Sequence, residues 1–220
     1  MAAVAAFPGA APAETGYTHD FNFGACGGFA AAGSNPYFSL RPGKRLVLAG
    51  REDGTRIRVK IEVLPRTEIV DGVRTRVVKE TETHDGRLYE ISRNWYAICN
   101  RDNSVAYFGE RVNFYNRQGK VIGHDGSWRA GVRNARPGII MPVTALVGAK
   151  YFQELAPGVA MDRAEHVSMQ AVARTPAGTF RRCLKLRETT PLEPDVSLKK
   201  YARGVGIVED GSTTLIESSG

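Results

Sequence analysis

The chain has no run of about 18 apolar residues, the length a helix needs to cross a bilayer, so no transmembrane helix is expected. Histidine is scarce: His19, His84, His124 and His166 each sit beside a carboxylate. Adjacent residues on a strand point to opposite faces, so adjacency builds no ligand pair. No spacing encodes the three or four converging ligands of a zinc site either. There is no Gly-x-Ser-x-Gly, and no cysteine has a histidine near it in sequence. The run Gly24-Ala25-Cys26-Gly27-Gly28 lacks the preceding strand and the lysine of a phosphate loop. No catalytic set, metal or cofactor is therefore expected. Arginine and aromatic residues interleave, but no RNA-recognition, zinc-finger or helix-turn-helix motif accompanies them, so nucleic acid is not the expected partner.

What the chain does hold is an ordinary globular mixture. Its 220 residues are 42% hydrophobic and 24% charged, which excludes a wholly disordered chain, a collagen and a coiled coil. One domain is the default at this length, large enough to fold without a metal or a disulfide. The formal charge is +7, and arginine outnumbers lysine 22 to 8. A basic body of this kind favours anionic polymers, lipid headgroups of an envelope surface, or acidic small molecules.

The charge is unevenly placed. Residues 1–40 carry Glu14 and Asp20 and no lysine or arginine. The first 35 residues hold 11 alanines and 6 glycines, with Tyr17, Phe21, Phe23 and Phe29 among them. Ala2–Ala13 looks like the end of a secretory signal without its basic start. Residues 1–35 read as an Ala/Gly-rich extension, either disordered or a strap on its own barrel or a neighbouring subunit.

From Arg41 onward the sequence reads as an antiparallel meander. Asp-Gly occurs five times, at 53–54, 71–72, 85–86, 125–126 and 210–211. Between β-rich runs it favours a two-residue hairpin, because both residues tolerate the positive φ of a type I′ turn. Arg56–Val63 alternates strictly, placing Ile57, Val59, Ile61 and Val63 on one face of a half-buried strand. The expected fold is all-β: a single antiparallel meander over residues 36–220, closed or nearly closed into a barrel. Met161–His166 reads as a short helical turn, and Gly131–Gly148 as a loop over one barrel end.

Several segments resemble a group of secreted bacterial β-sheet proteins without established function. They are Asn35-Pro36-Tyr37-Phe38, Trp95-Tyr96-Ala97, Tyr107-Phe108-Gly109-Glu110, Gly126-Ser127-Trp128-Arg129, Pro137-Gly138-Ile139-Ile140-Met141-Pro142, Thr190-Pro191-Leu192-Glu193-Pro194 and Tyr201-Ala202-Arg203-Gly204-Val205-Gly206. The last two are also similar to the C-terminal strands of lipoprotein-carrier-like periplasmic proteins. The resemblance spans about residues 35–210 and implies export, to the periplasm, envelope or medium, and an antiparallel β fold. It supplies no reaction. The chain departs from the group at Cys99, where a polar residue is usual, and in its long leader. Three cysteines cannot all pair within one chain. In an exported protein Cys26–Cys99 would staple the leader to the barrel and leave Cys183 on its strand.

The clustered aromatics suggest a pocket, with a filled core as the alternative. The expected ligand site is a barrel mouth lined by Trp95, Tyr107, Trp128 and Tyr151, with Arg129 and Glu154 as polar anchors for a small amphipathic or anionic molecule. Two other functions fit the same sequence. The protein would be a structural subunit whose residues 1–35 strap onto a neighbour, or an enzyme using Glu110, Glu154, Glu165 or His124 as acid and base.

Overall fold

A computed structural model describes residues 16–220. The signal-like run Ala2–Ala13 lies outside the described residues. The strands, in chain order, are β1 (Phe29–Ala30), β2 (Arg45–Glu52), β3 (Thr55–Val70), β4 (Val73–His84), β5 (Arg87–Cys99), β6 (Val105–Tyr115), β7 (Val121–Gly123) and β8 (Trp128–Arg129). They continue with β9 (Arg136–Met141), β10 (Lys150–Phe152), β11 (Glu154–Leu155), β12 (Arg163–Thr175), β13 (Gly178–Thr189), β14 (Val196–Ala202), β15 (Gly206–Asp210) and β16 (Thr213–Ser219). A four-residue 3-10 turn, Phe23–Cys26, is the one helical element among the described residues. No helix there is long and apolar enough to cross a membrane.

Hairpin chemistry builds the wall. The turns after β2, β3 and β4 are Asp53-Gly54, Asp71-Gly72 and Asp85-Gly86, each with both φ values positive, as a type I′ hairpin requires. Between β15 and β16 the two turn residues are Gly211 and Ser212, one step later than the Asp-Gly pair suggests. The resulting antiparallel sheet runs β10-β12-β13-β14-β15-β16-β2-β3-β4-β5-β6-β9-β11.

The two ends of that order are neighbours in the chain. Lys150–Phe152 pairs with β12, Glu154–Leu155 pairs with β9, and Gln153 alone stands between them. The Gln153 amide donates to Asp162 O at 2.7 Å, so the ring is all but closed by this one segment. The same closure explains Gly138. A Cβ on Gly138 would lie 2.3 Å from Gln153 O, so only glycine lets β9 approach this closely.

Two sequence readings are corrected here. Arg136–Met141, read as part of a covering loop, is strand β9 of the wall; Pro137 and Gly138 disguise it because they suppress the usual strand pattern. Met161–His166, read as a helical turn, leads instead into β12, which starts at Arg163.

Residues 16–40 lie along their own barrel. Thr18 forms backbone bonds with Lys150 O (3.0 Å) and from Phe152 N (2.9 Å), and Asp20 pairs with Arg136 at 3.0 Å. Phe21, Phe23, Phe29 and Phe108 form a ladder with ring centroids 5.4–5.7 Å apart. Cys26 and Cys99 form a disulfide, and Cys183 is free and buried.

The buried Arg76 braces the same region. The register of β3 shifts at Leu64–Arg66, which frees backbone carbonyls. Arg76 donates to Pro65 O and Ala31 O, each at 2.6 Å, so one guanidinium satisfies the bulge and ties the strap to it. Further along, Asn35 Nδ2 donates to Pro142 O (3.0 Å) and Asn103 O (3.2 Å), while Asn35 Oδ1 accepts from Tyr37 N. That fixes Tyr37 and Phe38 as a plug at one end of the barrel, where Phe38 packs edge-on against Tyr96.

The cysteines of the disulfide are 73 residues apart. Closing a loop of that length in the unfolded chain is worth about 4 kcal/mol. Cys26→Ser is expected to lower stability by that amount in urea titrations and to expose the strap to limited proteolysis while the barrel stays folded. Alkylation of the oxidised protein should modify one thiol, and only after denaturation.

Candidate functional site

The bulge between β5 and β6 and the short strand β8 bring the aromatic residues together. Trp128 pairs with Glu110 across β6 and β8, and Ser127 Oγ accepts from Val112 N at 2.9 Å, which fixes the approach of β8. The chain then turns tightly at 130–135, with Arg133 and Asn134 in the left-handed region at φ 51° and 63°. A second turn, Ala156–Ala160, faces it.

Between these turns lies a cleft of ≈ 370 Å³, within the size range of small-molecule sites. Its floor is Trp95, Trp128 and Glu110, and Val132 and Val159 stand at its sides. Three arginines, Arg111, Arg129 and Arg133, reach it. Arg129 is already engaged: its guanidinium lies 4.9 Å from the centroid of the Trp95 ring and pairs with Glu68 at 3.1 Å. Arg111 and Arg133 have no side-chain hydrogen bond or ion pair among the described residues.

Of the six residues expected to bind ligand, the structure places Trp95, Trp128 and Arg129 around this one cleft. Tyr107 lies behind Trp128, with centroids 5.3 Å apart, and its hydroxyl donates to Asn94 Oδ1 at 2.5 Å. Glu154 is buried beside Trp128, whose indole N–H favours the charged carboxylate without completing a hydrogen bond. Tyr151 is elsewhere: its hydroxyl meets Nε2 of the fully buried His166 at 3.0 Å. Burial lowers the pKa of that imidazole and keeps it neutral.

The acid–base candidates separate in the same way. Glu165 is on the outer face, paired with Arg187 and Lys150. His124 is exposed, with Nδ1 at 2.8 Å from Val112 O. Glu154 is buried and Glu110 half-buried, close enough for Glu110 to raise the pKa of Glu154.

They belong to a larger set that sequence patterning missed. Inward from the wall stand Glu80, Glu90 and Glu188 with one lysine, Lys199, while Asp210 and the exposed Asp162 stand at the open end of the same group. Lys199 Nζ is 2.8 Å from Glu188 and 3.6 Å from Asp210. Among the described residues no three His, Cys, Asp or Glu side chains converge as metal ligands. Burial is the main cause that pushes Glu80 and Glu90 up to about 7. Glu110 is pushed up to about 8 by burial first, then by the carboxyls of Glu80, Glu90 and Asp162, against the Tyr107 hydroxyl. Glu154 is raised well above the carboxylate range by burial and by Glu110.

No family model matches the chain, and no curated protein matches it. Among solved structures it is similar to a "putative lipoprotein" from Parabacteroides distasonis ATCC 8503. The two share 14% identity and a TM-score of 0.42, over 85% of this chain and 100% of the other. The functional reading therefore rests on the geometry.

The raised carboxyls set a pH dependence. Each binds its proton more tightly in the folded chain than in the unfolded one, so its contribution is complete below about pH 4.5 and is lost as pH rises through the folded value. Unfolding free energy should fall between about pH 4.5 and pH 8. Glu110→Gln is expected to raise stability at pH 8.5 and to change it little at pH 4.5. Denaturant titrations at the two pH values measure both.

Proposed function

We propose that the protein is an exported, non-catalytic binding module that holds a small amphipathic anion in the Trp–Arg cleft. Residues 36–220 act as the binding domain and residues 1–35 as its extension. The observation that carries this reading is the pair of unpartnered guanidinium groups, Arg111 and Arg133, above an indole floor. Guanidinium suits carboxylate, sulfonate or phosphate by planar, bidentate donation. The indoles supply apolar area for the rest of the ligand. Glu110, neutral at pH 7 in this environment, adds no opposing charge to the floor and can donate its own proton to the anion.

The packing of residues 16–35 on their own barrel favours a binding module over a subunit strapped to its neighbour. An acid–base reading retains one specific support: Glu110 lines the cleft as a protonated carboxyl, the state a general acid requires. It differs in its consequence, because a bound molecule would be converted rather than returned unchanged.

Trp128 is 6% exposed, so its truncation would cost core stability as well as ligand contact. The arginines give the cleaner test. Anilinonaphthalene sulfonate, an amphipathic anion, should bind with a fluorescence gain at pH 7. Arg111→Gln combined with Arg133→Asn, the latter a residue at ease with positive φ, should weaken it at least tenfold, or about 1.4 kcal/mol. Unchanged affinity in the double variant would remove the cleft from consideration. Mass spectrometry of candidate anions recovered from the cleft tests the acid–base reading, which predicts a changed mass.

A further inference from the structure

A second cavity lies inside the barrel, apart from the cleft. It measures ≈ 120 Å³ and has apolar walls from Leu46, Ile61, Val63, Val78, Ile140 and Ile207. It is somewhat smaller than the roughly 150 Å³ apolar cavities that accept benzene, so the apolar body it takes is at most of that size. Tyr37 and Phe38 stand at one end beside Lys44, whose Nζ donates to Ser218 Oγ at 3.0 Å. The other end is polar and holds Glu80, Lys199, Tyr201 and Asp210.

The charges at that end do not balance. The Lys199 ammonium is taken by Glu188 and Asp210. Glu80, on β4, forms no hydrogen bond and no ion pair among the described residues. Ile61 of β3 lies opposite it across one ladder and Ser92 of β5 across the other, and neither is a cation. The other charged groups that act on Glu80 are Glu82, Glu90, Glu110, Asp210 and the committed Lys199. An unpartnered carboxylate on an apolar chamber is costly to ionise, and a donor delivered by a ligand removes that cost. Lys199 and Asp210 also line a more open space on their far side, with Asp162, Glu188, Glu193 and Asp195. Five carboxyls against one lysine draw cations to that end of the barrel.

We propose that this chamber is a binding site for a small primary amine with a compact apolar body, its ammonium donating to Glu80 and its ring lying between Ile61, Val63 and Val78. The site is separate from the Trp–Arg cleft and has the opposite charge preference, so the two readings stand or fall independently.

The test titrates the full chain with benzylamine, benzyl alcohol and benzoate at pH 8 by calorimetry, where both the amine and most of Glu80 are charged. Benzylamine is expected to bind saturably, at least tenfold tighter than benzyl alcohol, and benzoate not at all. Glu80→Gln should weaken benzylamine at least tenfold. Val78→Phe, which fills the chamber and keeps Glu80, should abolish binding. An unchanged near-ultraviolet circular dichroism spectrum and a cooperative denaturant transition certify that each variant is folded. The proposal is overturned if benzylamine fails to bind, if the alcohol equals the amine, if benzoate binds more tightly, or if Glu80→Gln leaves the affinity unchanged.

Discussion

The interior of this barrel depends on one ammonium group. Lys199 stands between Glu188 and Asp210, faces Glu80, and is the cation around which the inward carboxyls are arranged. A buried ion pair is weak evidence for stability, because desolvation offsets the attraction. Its removal is another matter, since the remaining carboxyls would be left in low dielectric without a counter-charge. The wall tolerates so acidic a lining for two reasons. Lys199 neutralises part of it, and burial keeps much of the rest protonated near neutral pH. Hydrogen bonds complete the arrangement: Gln153 Nε2 donates to Glu188 Oε1 at 2.9 Å, and that glutamine is the residue at which the ring closes.

Glu110 and Trp128 join the two sides of this arrangement. Glu110 is part of the cleft floor and also feels Glu80, Glu90 and Asp162 in the interior. Trp128 covers the cleft floor on one side and abuts Tyr107 and Glu154 on the other. Basic residues therefore ring the outer cleft, acidic residues gather at the polar end of the inner chamber, and a thin layer of aromatic side chains lies between. An anion drawn toward Glu110 would hold that carboxyl protonated, while a cation near Glu80 would favour ionisation of the carboxyls around it.

Local chemistry made much of the fold legible. Three of the five Asp-Gly pairs, at 53–54, 71–72 and 85–86, specify their hairpins through positive φ, and the Ile57–Val63 alternation marks a face turned inward; Asp125-Gly126 joins two strands that both pair with β6 and makes no hairpin. Strand β9 was hidden because Pro137 and Gly138, which signal a turn in isolation, serve here to let two backbones close the ring. The acidic chamber was hidden for a related reason. In β4 the residues Arg76, Glu80 and Glu82 share one face, a polar pattern that suggests solvent, and binary patterning assumes an apolar inside. A barrel with a polar lumen reverses that assumption, so Glu80 carries no sequence signal of its position. Trp95, Trp128 and Arg129 were legible as a set because they lie near the β5–β6 bulge and the short β8. Tyr151 was not, since its distance from them depends on which strands close the ring.

The ring is fastened unevenly. Most neighbouring strands share long ladders, whereas Lys150–Phe152 and Glu154–Leu155 each hold their partner through a few residues. Segments with few backbone bonds open at low free energy, well below the cost of global unfolding. Amide protons along this short fastening should therefore exchange with solvent before those of the hairpins. Water and small solutes then have a passage to the lumen that leaves every hairpin intact. The barrel is in this respect a clasped bracelet rather than a welded hoop.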